Sequence, residues 1–149
     1  MKKFIYPMES ILNIQYKLED QAKTLFGEAS MKLLQEEEVL VSLMDKKKGY
    51  EEKAKELVED KLDLPAIREC KSAIEVMKTK IRAQMIEVHV AEKNVEHTRR
   101  KLQEAMVTRK SHEVLKEKAF VQYKKEWADE ENKSIDELVS YKHAAKVIR

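Results

Sequence analysis

Four histidines are the residues of this chain whose chemistry could most readily hold a metal ion. They are His89, His97, His112 and His143. A di-metal site inside a helical bundle uses the spacing Glu-x-x-His on facing helices. The residues three positions before the histidines are Ile86, Asn94, Arg109 and Ser140, and none is a glutamate. His89, Glu92 and Glu96 could share one helical face, but a solvated surface is the favoured interpretation. We therefore predict no metal site.

Catalytic motifs are also missing from the sequence. It has no Gly-rich phosphate-binding loop and no nucleophile elbow, and its two glycines are too few to build either. The single cysteine, Cys70, excludes an internal disulfide and falls where a helical seam would bury it. The sequence therefore predicts a protein that is not an enzyme, with no catalytic residues and no cofactor.

Basic residues cluster in the runs Arg99–Lys101 and Arg109–Lys110, which could contact phosphates. Glutamates interleave with both runs, and such mixed charge is typical of a solvated helix face. The net charge is only +2, although residues 28–60 carry a net −4 and residues 93–118 a net +4. Phe120, Tyr123 and Trp127 could stack on bases, but protein-contact anchors are commoner on a helical scaffold. We therefore do not expect nucleic-acid binding.

The composition indicates long helices that must position whatever surface carries the function. Only 2 of 149 residues are Gly and 2 are Pro, while 39% are charged. The pattern breaks once, near Leu62–Pro65, because Pro65 removes a backbone donor and restricts the residue before it. The sequence predicts an all-α fold, a long two-helix antiparallel coiled-coil hairpin that forms a single domain with its turn at residues 62–65.

The first helix is expected over residues 7–61, continuous through Gly49. Following a 4-3 spacing from Ile11 gives a partly apolar seam. Its positions are Ile11, Gln15, Leu18, Ala22, Leu25, Ala29, Lys32, Glu36, Val39, Leu43, Lys46, Tyr50, Lys53 and Leu57. Leu33, Leu34 and Leu40 flank the weak stretch and could supplement it.

The second helix is expected over residues 66–145 and has a cleaner seam. Its positions are Ile67, Cys70, Ile74, Met77, Ile81, Gln84, Val88, Ala91, Val95, Thr98, Leu102 and Ala105. After Ala105 the pattern predicts a rotated apolar face along Val107, Val114, Val121, Ala128 and Ile135, with Met106, Phe120, Trp127 and Tyr141 beside it. A capping box at Ser134 and Glu137 could break the helix near Asn132, but continuity is favoured.

Beyond about residue 125 the second helix has no partner in the first and should overhang at its C-terminal end. This overhang carries Trp127, Ile135, Leu138, Val139, Tyr141, Val147 and Ile148. Unpartnered apolar side chains on a helix usually await another surface. We see no signal peptide and no apolar run long enough to span a membrane, and so expect a cytosolic protein.

Several segments, taken in order, resemble those of one family. These are Phe4–Leu12, then Leu18–Lys23 followed by Leu25–Glu28, and near the other end Tyr123–Glu126 and Glu131–Leu138 with its Asp-Glu pair. In these segments, in size and in its single break, the chain resembles the flagellar export protein FliJ family. The resemblance implies an antiparallel two-helix stalk, a monomeric rod that inserts into the hexameric flagellar export ATPase and promotes its assembly and activity.

The resemblance also implies that the stalk links the ATPase to the cytoplasmic part of the membrane export gate and handles export chaperones. The protein would then lie in the cytoplasm, peripherally at the inner face of the cell membrane at the flagellar base. Candidate ATPase contacts are Phe4, Tyr6, Trp127, Ile135, Asp136 and Glu137, although Asp136 and Glu137 could equally be ordinary acids of a solvated helix surface. Candidate gate contacts are Leu43, Tyr50, Ile74 and Met77, although Ile74 and Met77 more simply form the seam.

Three other functions fit a helical hairpin. The same shape serves as the stalk of a virulence-type secretion ATPase. An unrelated scaffold coiled coil is a second alternative, and such proteins usually form parallel dimers. A helical arm that binds RNA is a third, and it would show steep salt dependence.

Overall fold

The computed structural model describes residues 3–60 and 63–148, which form two helices and, within those ranges, no strand. Helix α1 spans Glu9–Asp60 and helix α2 spans Leu64–Ile148. The two helices pack against each other as an all-α hairpin, which confirms the predicted fold class. Helix α1 is continuous through Gly49, and α2 is continuous past Asn132 and Ser134. The predicted turn residue Leu62 lies outside the described residues.

The chain divides into two compact units, each built from a segment of both helices. The terminal unit contains Met1–Glu19 and Glu104–Arg149, and the turn unit contains Asp20–Gln103. In each unit the segment of α1 packs against the segment of α2.

Local hydrogen bonds explain where the helices begin. Before α1, the Glu9 amide donates to the Tyr6 carbonyl at 3.2 Å, and Pro7 lies in the turn just ahead of the helix. Before α2, the Asp63 carboxylate accepts from the Ala66 amide at 3.3 Å and caps the first turn. Pro65 lies in the first turn of α2 and not in the turn before the helix. Proline is tolerated there because the backbone nitrogen of a first-turn residue has no hydrogen-bond acceptor within the helix.

In the turn unit, the predicted seam of α2 is confirmed by burial. Cys70, Met77, Ile81, Val88 and Ala91 are buried. The remaining predicted positions of this segment, Ile67, Ile74, Gln84, Val95, Thr98 and Leu102, are half-buried. The 3-4 spacing therefore identified the face of α2 that meets α1.

The predicted seam of α1 is wrong at every second position. The positions one residue further on, Phe26, Leu33 and Leu40, are half-buried, whereas Leu25 is 55% exposed and Lys32 is exposed. Ala22, Ala29, Glu36, Leu43 and Leu57 are covered, as predicted. A heptad has two core positions per seven residues, and starting from Ile11 with a spacing of four placed one of them a residue early.

One polar layer lies inside the turn unit. The Gln84 side-chain amide donates to the Glu36 carbonyl oxygen at 2.9 Å and to the Glu36 carboxylate. Lys32, one turn away, and then Gln84 lower the pKa of Glu36 below its usual value. These hydrogen bonds satisfy the polar groups of Glu36 and Gln84, which both occupy seam positions.

In the terminal unit the seam continues in the same heptad but becomes charged. Leu12, only 2% exposed, and Glu19, 5% exposed, come from α1. The seam positions that follow Ala105 on α2 are half-buried, namely Arg109, His112, Lys116, Ala119 and Tyr123. Met106, Glu113 and Trp127 beside them are half-buried too. The predicted rotated apolar face is present along the valine line, but this line lies on the outside, because the seam keeps its heptad and charged residues occupy it.

Ion pairs between the helices make this charged seam possible. Arg109 Nε donates to Glu19 Oε2 at 2.7 Å, and Arg109 Nη1 donates to Glu113 Oε2 at 3.0 Å. Lys116 Nζ lies 2.8 Å from Glu9 Oε2, and the Tyr16 hydroxyl donates to Glu113. Glu19 and then Glu113 raise the pKa of Arg109, so the guanidinium is charged at any accessible pH.

We expect Glu19→Leu to lower the urea midpoint of unfolding several times more than Glu117→Gln, a substitution at an exposed site. The substitution leaves the half-buried Arg109 guanidinium without its interhelical partner. The double variant Glu19→Leu/Arg109→Leu should recover most of the loss, because an apolar pair can replace a buried ion pair. An equal loss in the single and double variants would contradict this account.

The Tyr16–Glu113 hydrogen bond should stabilise the fold over a defined pH range. The hydroxyl of Tyr16 lowers the pKa of Glu113 below 4.5, and Glu113 raises the pKa of Tyr16 above 10.0. A lowered carboxyl pKa gives stability that is present above pH 4.5 and lost below it. A raised phenol pKa gives stability that is present below pH 10.0 and lost above it.

The urea midpoint of the wild type should therefore exceed that of Tyr16→Phe between these limits, and the difference should shrink outside them. The measurement is urea unfolding followed by circular dichroism across the pH range. Tyr141→Phe, at an exposed tyrosine of the overhang, is the control and should show no difference at any pH. A difference that does not vary with pH would rule out the hydrogen bond as its source.

Candidate functional site

The main candidate contact surface is a line of apolar residues that recurs every seven residues along α2. We call it the outer line, and it consists of Val107, Val114, Val121, Ala128 and Ile135. Its four larger side chains are between 47% and 64% exposed. The seven-residue spacing puts all five residues at the heptad position farthest from the seam, over about 42 Å of helix at 1.5 Å per residue. The terminal unit therefore presents an apolar ridge to other molecules.

The C-terminal part of α2 extends this surface. Every residue from 128 to 146 is exposed. The continuation of the seam is polar there, at Glu130, Lys133, Glu137 and Ser140. The apolar residues, Ile135, Leu138 and Val139, lie instead on the face of the outer line. The overhang therefore carries its contact surface on the outside of α2. The side chains of Val147 and Ile148 lie outside the described residues.

An aromatic cluster tethers the N-terminal segment to α2 just before the overhang. The Phe4 ring centroid lies 5.1 Å from that of Phe120 and 5.3 Å from that of Tyr123. Lys124 Nζ lies 4.6 Å from the Phe120 ring centroid, within the range of a cation–π contact. Tyr6 is buried in the same unit. The segment before α1 thus covers α2 beyond the point where α1 begins.

An open groove of about 380 Å³ lies beside this cluster. It is lined by Phe4, Leu12, Tyr16, Glu113, Lys116, Glu117 and Phe120. Glu113 accepts hydrogen bonds from Tyr16 and Arg109, and Lys116 donates to Glu9. Because these charges are already paired within the unit, the groove offers mainly apolar contact area.

The six predicted ATPase contacts all lie in the terminal unit but differ in access. Phe4 and Trp127 are half-buried, and Tyr6 is buried. Ile135, Asp136 and Glu137 are exposed on the overhang. Only the last three present their side chains fully to a partner, and their role as contacts stays a prediction.

The four predicted gate contacts lie in the turn unit. Met77 is buried, and Leu43 and Ile74 are half-buried in the seam. Tyr50 is the one exposed member of this set. The seam therefore accounts for three of these residues, and gate contact by any of the four stays a prediction.

The charged seam was not predicted from the sequence, which indicated only that the apolar face rotates after Ala105. The valines recur every seven residues, and this period alone does not say whether they face the first helix or the outside. Glu19 and Arg109 occupy core positions but carry charge. The signal that could have identified the charged seam is the opposite charge of Glu19 and Arg109 at positions where the hairpin register places them together.

Within residues 3–60 and 63–148, no group of His, Cys, Asp and Glu side chains could hold a metal ion. His89 and Glu92 are both exposed, and their side chains are 3.9 Å apart on one helical turn. No helix in the described part of the chain is long and apolar enough to cross a membrane.

Comparison with known proteins identifies the family of this chain. A sequence model of the family described as "Flagellar FliJ protein" matches residues 3–147. No curated protein and no solved structure matches the chain. The family is one of structural and adaptor proteins. Because the match covers nearly all of both helices, the chain belongs to the FliJ family and is a component of the flagellar export apparatus.

Proposed function

We propose that this protein is the stalk of the flagellar export ATPase. One copy inserts the terminal unit into the hexameric ring and promotes assembly and ATP turnover. The observation that carries the proposal is the outer line, which forms an exposed apolar ridge and continues onto the unpaired overhang. The chain that bears this ridge belongs to the FliJ family. An amphipathic helix of this kind fits the apolar grooves of a partner protein.

The mechanism is differential contact. A hairpin with one apolar ridge cannot touch six identical subunits alike, so it stabilises the conformation of the subunits that it contacts. A ligand shifts an equilibrium only by its different affinity for the two states. The outer line supplies that difference because burying apolar area is favourable only where a subunit closes over it.

The turn unit, on this proposal, faces the cytoplasmic part of the export gate, and the protein lies at the inner face of the cell membrane at the flagellar base. Tyr50 is the predicted gate residue with an exposed side chain. Exposed apolar residues in the same unit, such as Val41, Val58 and Ile86, offer further area for the gate or for export chaperones. These contacts would serve protein export and, through it, motility.

The test measures ring formation and ATP turnover by the export ATPase of the same cell. We expect Ile135→Asp to weaken binding about tenfold and reduce stimulation in proportion, because the contact would bury a carboxylate. Ile86→Asp is the matched control, since Ile86 is an exposed isoleucine at the same heptad position of α2 in the turn unit. It should stimulate as the wild type does.

A variant truncated after Ala128 tests the overhang as a whole. Loss of stimulation with an unchanged urea midpoint would support insertion of the overhang. The fluorescence of Trp127, the single tryptophan, gives an independent readout in the full-length chain. If wild-type protein changes neither ring formation nor turnover, the stalk proposal is wrong and a scaffold or chaperone-adaptor role replaces it.

A further inference from the structure

Charged residues beside the outer line follow a regular alternation. Along one flank, three residues after each valine and after Ala128, stand Lys110, Glu117, Lys124 and Glu131. All four are exposed and recur every seven residues with alternating sign. The flank therefore repeats with the period of the outer line and lies on one side of it.

This alternation is self-complementary when two copies run antiparallel. With a twofold axis at Val121, Val107 lies opposite Ile135 and Val114 lies opposite Ala128. In an antiparallel helix pair each flank meets the same flank of the partner, as equivalent positions do in coiled coils. Lys110 then lies opposite Glu131, and Glu117 lies opposite Lys124, so every pair on this flank joins opposite charges.

We propose that the outer line is a docking surface for a second copy of this chain, packed antiparallel about a twofold axis at Val121. The closed twofold arrangement buries the same ridge on both copies. The charges indicate a second copy as the partner. The charged flank of one copy is complementary to the same flank of another, and the two flanks meet only when the helices run antiparallel. The apolar ridge supplies the buried area, and the flanking pairs set direction and register.

The opposite flank limits the strength of the dimer. It carries Lys118 and Lys125, which meet as like charges in the same arrangement. Each copy also contributes only one apolar residue per two turns. The association is therefore weak and depends on protein concentration, as suits a form that exchanges with other partners.

Self-association covers the face that the proposed function gives to the ATPase. A chain paired through Val121 and Ile135 cannot present the same ridge to the ring, so the dimer is a reserve form outside the ring. This consequence rests on the proposed function. The experiments that follow use the purified protein alone. A negative result in them would contradict the dimer and would not affect the stalk proposal, which is tested by ring formation and ATP turnover.

Disulfide cross-linking tests the geometry. Val121→Cys should form a cross-linked dimer under mild oxidation at least tenfold more than Gln122→Cys, which moves the thiol about a quarter-turn around the helix. The wild type gives the baseline, because its single cysteine, Cys70, is buried. A mixture of Val107→Cys and Ile135→Cys proteins should cross-link, whereas each of the two alone should not. Equal yields at residues 121 and 122 would overturn the proposal.

Sedimentation velocity over a range of concentrations tests the charges. Lys110→Glu creates like-charge pairs at both ends of the dimer and should raise its dissociation constant about tenfold at low salt. Lys110→Glu/Glu131→Lys restores opposite charges and should return the constant to the wild-type value. A wild type that stays monomeric at every concentration, or a double variant no tighter than the single one, would refute the antiparallel pair.

Discussion

The terminal unit depends on the ion pair between Arg109 and Glu19. A charged residue at a seam position would normally push the seam toward the nearest apolar line, because burying an unpaired charge is unfavourable. Here the guanidinium contacts Glu19 at 2.7 Å and also contacts Glu113, so the charges are satisfied inside the unit. The heptad therefore keeps its phase beyond Ala105, and the valines of α2 remain outside.

That constraint leaves the outer line exposed. In most amphipathic helices the apolar stripe faces the rest of the same chain and the polar face meets water. In the terminal unit, α2 has charged residues in its seam and valines on its outer side. On the function proposed above, the outer line contacts another molecule, and its regular spacing suits a helical or grooved partner. The aromatic cluster around Phe4 holds the N-terminal segment clear of that line.

Burial in the turn unit shows why one seam was predictable and the other only partly. On α2, no neighbouring line of residues fits an apolar heptad better than the line through Ile74, Met77 and Ile81. On α1, Leu25 and Phe26 stand side by side, and either could begin a plausible line. Choosing between them requires the partner helix, because the two lines differ by one residue and have the same period. The exposure of Leu25 follows from that choice.

The sequence by itself determined that the chain forms two long helices broken near Pro65, and the order of its short segments indicated its family. Scarce glycine and proline, heptad spacing and local capping are all properties of residues close together in the chain, so they can be read without the fold. Only the tertiary structure decided which seven-residue line of α2 faces inward after Ala105. That choice rests on Glu19 meeting Arg109, a contact between residues 90 positions apart, and periodicity within one helix carries no information about it.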